Sequence, residues 1–334
     1  MASKPTVVVL GTGGSISGLG PDRLDYVLYP EIGGRLRIEE SLQRIPEVAD
    51  IASIRSENLV SVGSGSVGPA TWLKLANRIN SIFRTETDVD GIVVTHGTAT
   101  LEETAYFLHL TVKSPKPVVI TGAMRPPSSM GTDADLNLYN AVQLASDPAA
   151  GGRGVLTVLN QQIHSGRDVT KGDALRPETF ISPDWGPLGY VDSNHQVVFY
   201  RLPERKHTVA SPFDMDSKDS LPRVDVVYAY AGADELLIDA VRNNRSDGLV
   251  LAGFGAGTFT PSLESAAKSA VEDGMSVVIS TRSYKGRVVL TPRKSQYGFV
   301  ASDDLMPPKA RILLTLALTI TADRDRIQEF FYQY

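Results

Sequence analysis

Short apolar runs punctuate this chain at 6–10, 91–95, 117–121, 155–159, 224–230, 247–252 and 276–280, and helical spacing fills much of the sequence between them. That alternation constrains the fold more than any other feature. Runs so short and so apolar suit strands buried on both faces, and strands separated by helices pair in parallel. In 69–84, Trp72, Leu75, Ala76, Ile79, Ile82 and Phe83 fall on one helical face. Pro69 opens that stretch, where the missing N–H of a proline is no loss. The expected class is therefore α/β, a mainly parallel sheet flanked by helices. In such sheets, ligands bind beyond the carboxyl ends of the strands.

A length of 334 residues allows two domains. A larger N-terminal α/β domain is expected over 1–200. It closes with a hairpin at 186–200 around Asp192-Ser193-Asn194. Pro203, Pro212 and Pro222 among polar residues mark 201–222 as a linker. A smaller α/β domain follows over 223–334, ending in a helix-like run at 309–321 and a short terminal helix. A net charge of -5 argues against a nucleic-acid partner, because phosphate-binding surfaces need a basic excess. No apolar run approaches membrane-spanning length, so no membrane partner is expected. The first residues lead directly into a strand without an apolar signal core, which favours a cytoplasmic protein or a mature exported form. The absence of cysteine removes disulfides, thiol nucleophiles and cysteine metal sites together. His96, His109, His164, His195 and His207 show no metal-ligand spacing, so no metal is expected.

Two strand ends carry the chemistry. At 93–107 an apolar strand runs into Thr95-His96-Gly97-Thr98, and a helix starts at once. At the N-terminus, 6–10 runs into Gly11-Thr12-Gly13-Gly14-Ser15. Each presents a hydroxyl beside glycine backbone, as an acyl-transfer site requires. A threonine hydroxyl is a weak nucleophile and needs a base beside it. The plainer alternative for Thr98 is a helix N-cap before Leu101 and Glu102. For Ser15 it is a glycine-rich turn. Ile16 breaks the dinucleotide fingerprint, and no Gly-Lys-Ser/Thr follows to make a phosphate loop. Lys171 reads as a solvated charge, and His96 as a packed turn residue.

Taken in order, the motifs resemble the bacterial-type asparaginase and glutaminase-asparaginase family. The resemblance is carried by the two hydroxyl motifs, by Gly122-Ala123-Met124-Arg125-Pro126, Asn137-Leu138-Tyr139-Asn140-Ala141 and Gly166-Arg167-Asp168-Val169-Thr170-Lys171, by Arg205-Lys206-His207-Thr208, and by Tyr297-Gly298-Phe299-Val300-Ala301-Ser302. It spans nearly the whole chain. It implies hydrolysis of a side-chain amide by a hydroxyl nucleophile through an acyl-enzyme, without a cofactor. It makes Ser15 the first nucleophile candidate, assisted by Tyr29 on a mobile lid, with Tyr26 as the alternative. It pairs Thr98 with Lys171, and assigns substrate binding to Ser64, Gly65, Ala99 and Ala123. It also implies a homotetramer, a dimer of dimers, in which the smaller domain of one subunit completes a neighbour's site.

The departures from the family pattern cluster. Gly65, Ala99, Ala256 and Thr291 stand where the family carries polar or acidic residues that hold the substrate's α-ammonium group. A buried ammonium without acceptors or a counter-charge suffers a large desolvation cost. The expected enzyme is an asparaginase-like hydrolase of a small amide, or a related ester, lactone or imide, that lacks a free α-amino group. The alternatives are an ordinary L-asparaginase or glutaminase with a rearranged ammonium site, and an inactive ligand-binding homologue. Loss of the acid at position 99 is further expected to lower the pKa of Lys171, since a nearby anion favours the charged form.

Overall fold

The computed structural model describes residues 4–334. The chain divides into two compact units, Met1–Ser217 and Lys218–Tyr334. The first is built on a sheet of eight strands in the order β10-β9-β6-β5-β4-β3-β1-β2. Its members are β1 (Thr6–Gly13), β2 (Ser53–Val62), β3 (Val89–Thr95), β4 (Val118–Thr121), β5 (Val155–Leu159), β6 (Gln162–Ser165), β9 (Gly189–Val191) and β10 (Val197–Phe199). Two-residue strands β7 (Thr170–Lys171) and β8 (Phe180–Ile181) form a separate ribbon. From β2 through β5 the pairing is parallel; β6, β9 and β10 are antiparallel, and the last two make the expected hairpin.

The apolar runs at 6–10, 91–95, 117–121 and 155–159 are strands, and the helix expected at 69–84 spans Pro69–Thr85. Burial explains why those runs were readable. Val7, Val9, Val93, Val119 and Leu156 pack into one core cluster with Leu138, Ala141, Val142 and Ala145 of the helix Ala134–Ser146. The exception is β2. It lies at the sheet's edge with most of its residues exposed or partly exposed, so its sequence, SIRSENLVSV, carries no apolar run. Residues 201–217 pack on this unit: Lys113 Nζ donates to Ser211 O at 2.7 Å, Phe213 is fully buried, and Arg84 pairs with Asp216 at 2.7 Å.

The second unit carries a parallel sheet of β11 (Val224–Tyr228), β12 (Gly248–Gly253), β13 (Ser276–Thr281) and β14 (Val300–Ala301), in sequence order. Leu249, Leu251 and Ile279 pack with Leu263 and Ala267 of the helix Pro261–Glu272. The helix-like run at 309–321 is the helix Pro307–Ala317, and Arg324–Gln333 is the terminal helix. Among the described residues, no helix is long and apolar enough to cross a membrane.

Topology places the chemistry of the first unit. Strand β1 lies between β2 and β3, so the chain leaves it to one side and later returns on the other. The crevice at such a reversal is where open α/β sheets bind ligands. The carboxyl ends of four adjacent strands, β2, β1, β3 and β4, open there. Ser64, Ser15, Thr98 and Ala123 follow those ends directly.

Candidate active site

The two glycine turns touch. A Cβ built on Gly14 would stand 2.2 Å from Gly97 Cα and 2.3 Å from Gly97 N. Gly14 also has φ of 83°, a left-handed conformation that favours glycine. Backbone hydrogen bonds lock the approach. Thr12 Oγ1 donates to Thr95 O at 2.7 Å, Gly14 N donates to Val62 O at 3.0 Å, and His96 N donates to Thr121 O at 2.8 Å. The site is thus assembled by backbone contact that any side chain would prevent. Gly14→Ala is expected to lower stability by about 3 kcal/mol or more, because it combines overpacking against backbone with a disfavoured φ. A urea midpoint unchanged from wild type would contradict this.

The first hydroxyl, Ser15, is buried. Its Oγ donates to the carbonyl of Ala123, and the phenol of Tyr29 lies within hydrogen-bonding reach of the same hydroxyl. Burial raises the pKa of Tyr29, so the phenol stays protonated at neutral pH and can serve as a donor. Tyr29 opens the short helix Tyr29–Ile32, and its ring lies against Gly18, where a Cβ would meet Tyr29 Cδ2 at 2.8 Å. The buried carboxylate of Asp25 accepts from Leu28 N and Tyr29 N, both at 2.8 Å, and so fixes the turn before that helix. The segment is clasped to the loop after β4. Gly20 N donates to Ser128 Oγ at 2.7 Å, and Ser129 Oγ donates to Asp25 O at 3.1 Å. Tyr26, the alternative to Tyr29, points elsewhere. Its hydroxyl donates to Met130 O at 2.9 Å and its ring lies beneath Arg125.

The second hydroxyl, Thr98, is also buried, and it is not a helix cap. The helix begins at Leu101, with Thr100 in the cap position. Lys171 Nζ donates to Thr98 Oγ1 at 2.8 Å. Lys171 is therefore no solvated charge: it is partly buried, and burial lowers its pKa. The carboxylates of Glu102 and Asp173 oppose that shift. The lowered pKa expected for this lysine is found, with burial as its main cause, while Glu102 supplies a carboxylate beside it. A lysine whose pKa burial lowers can take a proton from the hydroxyl it touches. His96 is a packed turn residue, as its sequence setting suggested. Its Nδ1 bonds Gly97 O at 2.8 Å and its Nε2 bonds Thr104 Oγ1 at 3.0 Å, and burial pushes its pKa down to about 4.

Between the two hydroxyls the chain is stripped of bulk. A Cβ on Gly122 would stand 3.2 Å from Thr98 Cγ2, and Gly122 directly precedes the Ala123 carbonyl that holds Ser15. A Cβ on Gly97 would stand 2.6 Å from Ser64 Cβ, so Ser64 joins the same patch. Ser64 Oγ accepts from Ala99 N at 3.3 Å, and Ser64 O accepts from Thr100 Oγ1 at 2.8 Å. Ala99 and Gly65 are exposed, and a Cβ on Gly65 would meet nothing within 4 Å. Sequence reasoning missed Glu102 and Asp25. Both read as ordinary acids at turns or helix starts, and only the chain segments they reach give them a role.

Ala256 and Thr291 belong to the second unit. Ala256 is exposed on the loop after β12. Thr291 caps the helix Pro292–Gln296 by accepting from Lys294 N at 3.4 Å. Lys294 is buried, hydrogen-bonded through Nζ to Gly257 O and set over the Phe259 ring at 4.3 Å. That lysine joins the two segments inside this unit, and burial lowers its pKa.

Known proteins resemble this chain along nearly its whole length. Residues 6–205 match the family described as asparaginase, N-terminal, and residues 223–331 match the glutaminase/asparaginase C-terminal domain. The chain is 44% identical over 335 residues to L-asparaginase 2 of Escherichia coli strain K12, covering 99% of this chain and 93% of that one. It is 42% identical over 335 residues to a probable periplasmic L-asparaginase of Haemophilus influenzae, covering 100% and 94%. A crystal structure of a probable cytoplasmic L-asparaginase from Campylobacter jejuni superposes with a TM-score of 0.95 at 39% identity, covering 99% of this chain and 100% of that one. These relatives are described from two compartments, so the likeness assigns none to this chain. The mixed α/β fold, the order of motifs and both domain matches show that this chain belongs to the asparaginase family of amidohydrolases.

Proposed function

We propose that this hydrolase cleaves a small carboxamide lacking a free α-ammonium group, through an acyl-enzyme formed on a hydroxyl at the β1–β3 crevice. The observation that carries the reading is the pairing of Lys171 Nζ with Thr98 Oγ1 beside a patch where residues 65 and 99 offer no acceptor side chain. A hydroxyl oxygen attacks the amide carbon as its proton passes to a base. The proton then reaches the departing nitrogen, which leaves as ammonia. Water attacks the resulting ester by the same route and restores the hydroxyl. Lys171 is the base for Thr98 or for water held by it, and the Tyr29 phenol orients the Ser15 hydroxyl. Backbone N–H groups at the glycine turns stabilise the developing oxyanion.

A second reading, hydrolysis of L-asparagine and L-glutamine themselves, is favoured by the descriptions of the relatives, which are L-asparaginases at 42% and 44% identity. Ammonia release from L-asparagine, L-glutamine and their counterparts without the amino group, succinamate and glutaramate, separates the two. Preference for the counterparts supports the first reading, and preference for the amino acids supports the second. Binding of either class without turnover by the wild-type chain would sink both.

A further inference from the structure

We infer that Glu102 is the positioning residue for Lys171, holding the lysine against Thr98 and setting a negative charge beside it. The inference rests on the Thr98–Lys171 reading above. Lys171 sits in β7, a strand of two residues whose backbone pairs with β8 on one side only, Lys171 opposite Phe180. A ribbon so short cannot by itself fix a side chain. On the other side, Glu102 Oε2 accepts from Lys171 N at 2.6 Å. The side chain of the same lysine donates to Thr98 Oγ1 at 2.8 Å. Glu102 therefore grips the backbone of the residue whose side chain touches the hydroxyl.

Its helix gives it leverage. Glu102 stands in the first turn of the helix Leu101–Thr111, where a carboxylate is favoured by the exposed N–H groups. Around Lys171, Glu102 comes from the helix, uncharged Phe180 from the paired strand, and Asp173 from the turn that follows. Asp173 is committed to Leu175 N and Arg176 N at 2.8 and 2.9 Å, and to the Arg176 guanidinium at 3.8 Å. Its charge is shared and solvated, which leaves Glu102 the stronger influence.

The test follows Lys171 directly. Its rate of acetylation by acetic anhydride, read by mass spectrometry across pH, reports the neutral fraction without needing a substrate. Glu102→Gln keeps an acceptor for Lys171 N but removes the anion that favours the ammonium form. The labelling midpoint should move to lower pH, and so should the acid limb of kcat for succinamate or L-asparagine. Asp173→Asn should move both less. Glu102→Ala loses the acceptor as well, and kcat should fall roughly tenfold to a hundredfold with KM little changed. A labelling profile of Glu102→Gln that coincides with wild type, or moves less than that of Asp173→Asn, overturns the role of Glu102. Full turnover in Thr98→Ala would instead overturn the underlying reading of the site.

Discussion

Succinamate, which keeps the amide and carboxylate of asparagine but not its ammonium, is expected to be hydrolysed with a kcat/KM roughly a thousandfold above that for L-asparagine. Each lost charge-assisted contact removes about 1.5–3 kcal/mol of binding to a charged group. The amino acid must still shed the hydration of its ammonium to enter. Position 99 offers a methyl group and position 65 a hydrogen, and the nearest acid on that turn, Glu102, already accepts from Lys171 N. Two missing contacts are enough for the stated ratio, and Ala256 and Thr291 continue the same trend in the second unit. Ala99→Asp should raise efficiency toward L-asparagine and leave succinamate little changed. Steady-state ammonia release with both amides measures the ratio. Equal efficiency, or a preference for the amino acid, would refute the altered-substrate reading and leave the second reading standing.

Removing either hydroxyl should be nearly as costly. Ser15→Ala and Thr98→Ala are each expected to lower kcat by about a hundredfold or more, the usual size of a nucleophile or oxyanion contact. Ser15→Ala also leaves the Ala123 carbonyl and the Tyr29 phenol without a shared partner, while Thr98→Ala strips Lys171 of its acceptor. Neither change adds bulk, so far-ultraviolet circular dichroism should be unaltered. On the acid side, wild-type activity should fall as Lys171 gains a proton. Burial lowers the pKa of Lys171, so that loss sets in at lower pH than for an exposed lysine. If both alanine variants keep wild-type turnover, the crevice between β1 and β3 is not where the chemistry occurs.

Much of this arrangement was legible beforehand, for a definite reason. Strands buried on both faces must be apolar throughout, so β1, β3, β4 and β5 declared themselves as runs. Edge strand β2 did not, because solvent on its flank permits Arg55, Glu57 and Asn58. The hydroxyls were legible because each directly follows glycine at the end of an apolar strand. Gly14 and Gly97 could be read as turn residues, but not as residues in contact with each other.

The sequence by itself determined the α/β class and the family and singled out two candidate hydroxyls, since these depend on local periodicity and on motif order. Tertiary structure alone decided which groups meet. A sequence separation of 73 between Thr98 and Lys171 is closed by a hydrogen bond that no local pattern encodes. The choice of Tyr29 over Tyr26 depends on how the Asp25 turn is clasped to Ser128 and Ser129. The acid beside Lys171 is Glu102, because helix geometry brings that carboxylate to a strand that is remote in sequence. Hydrogen bonds and desolvation act on distances in space, and those distances are set only when the sheet has brought its strand ends together.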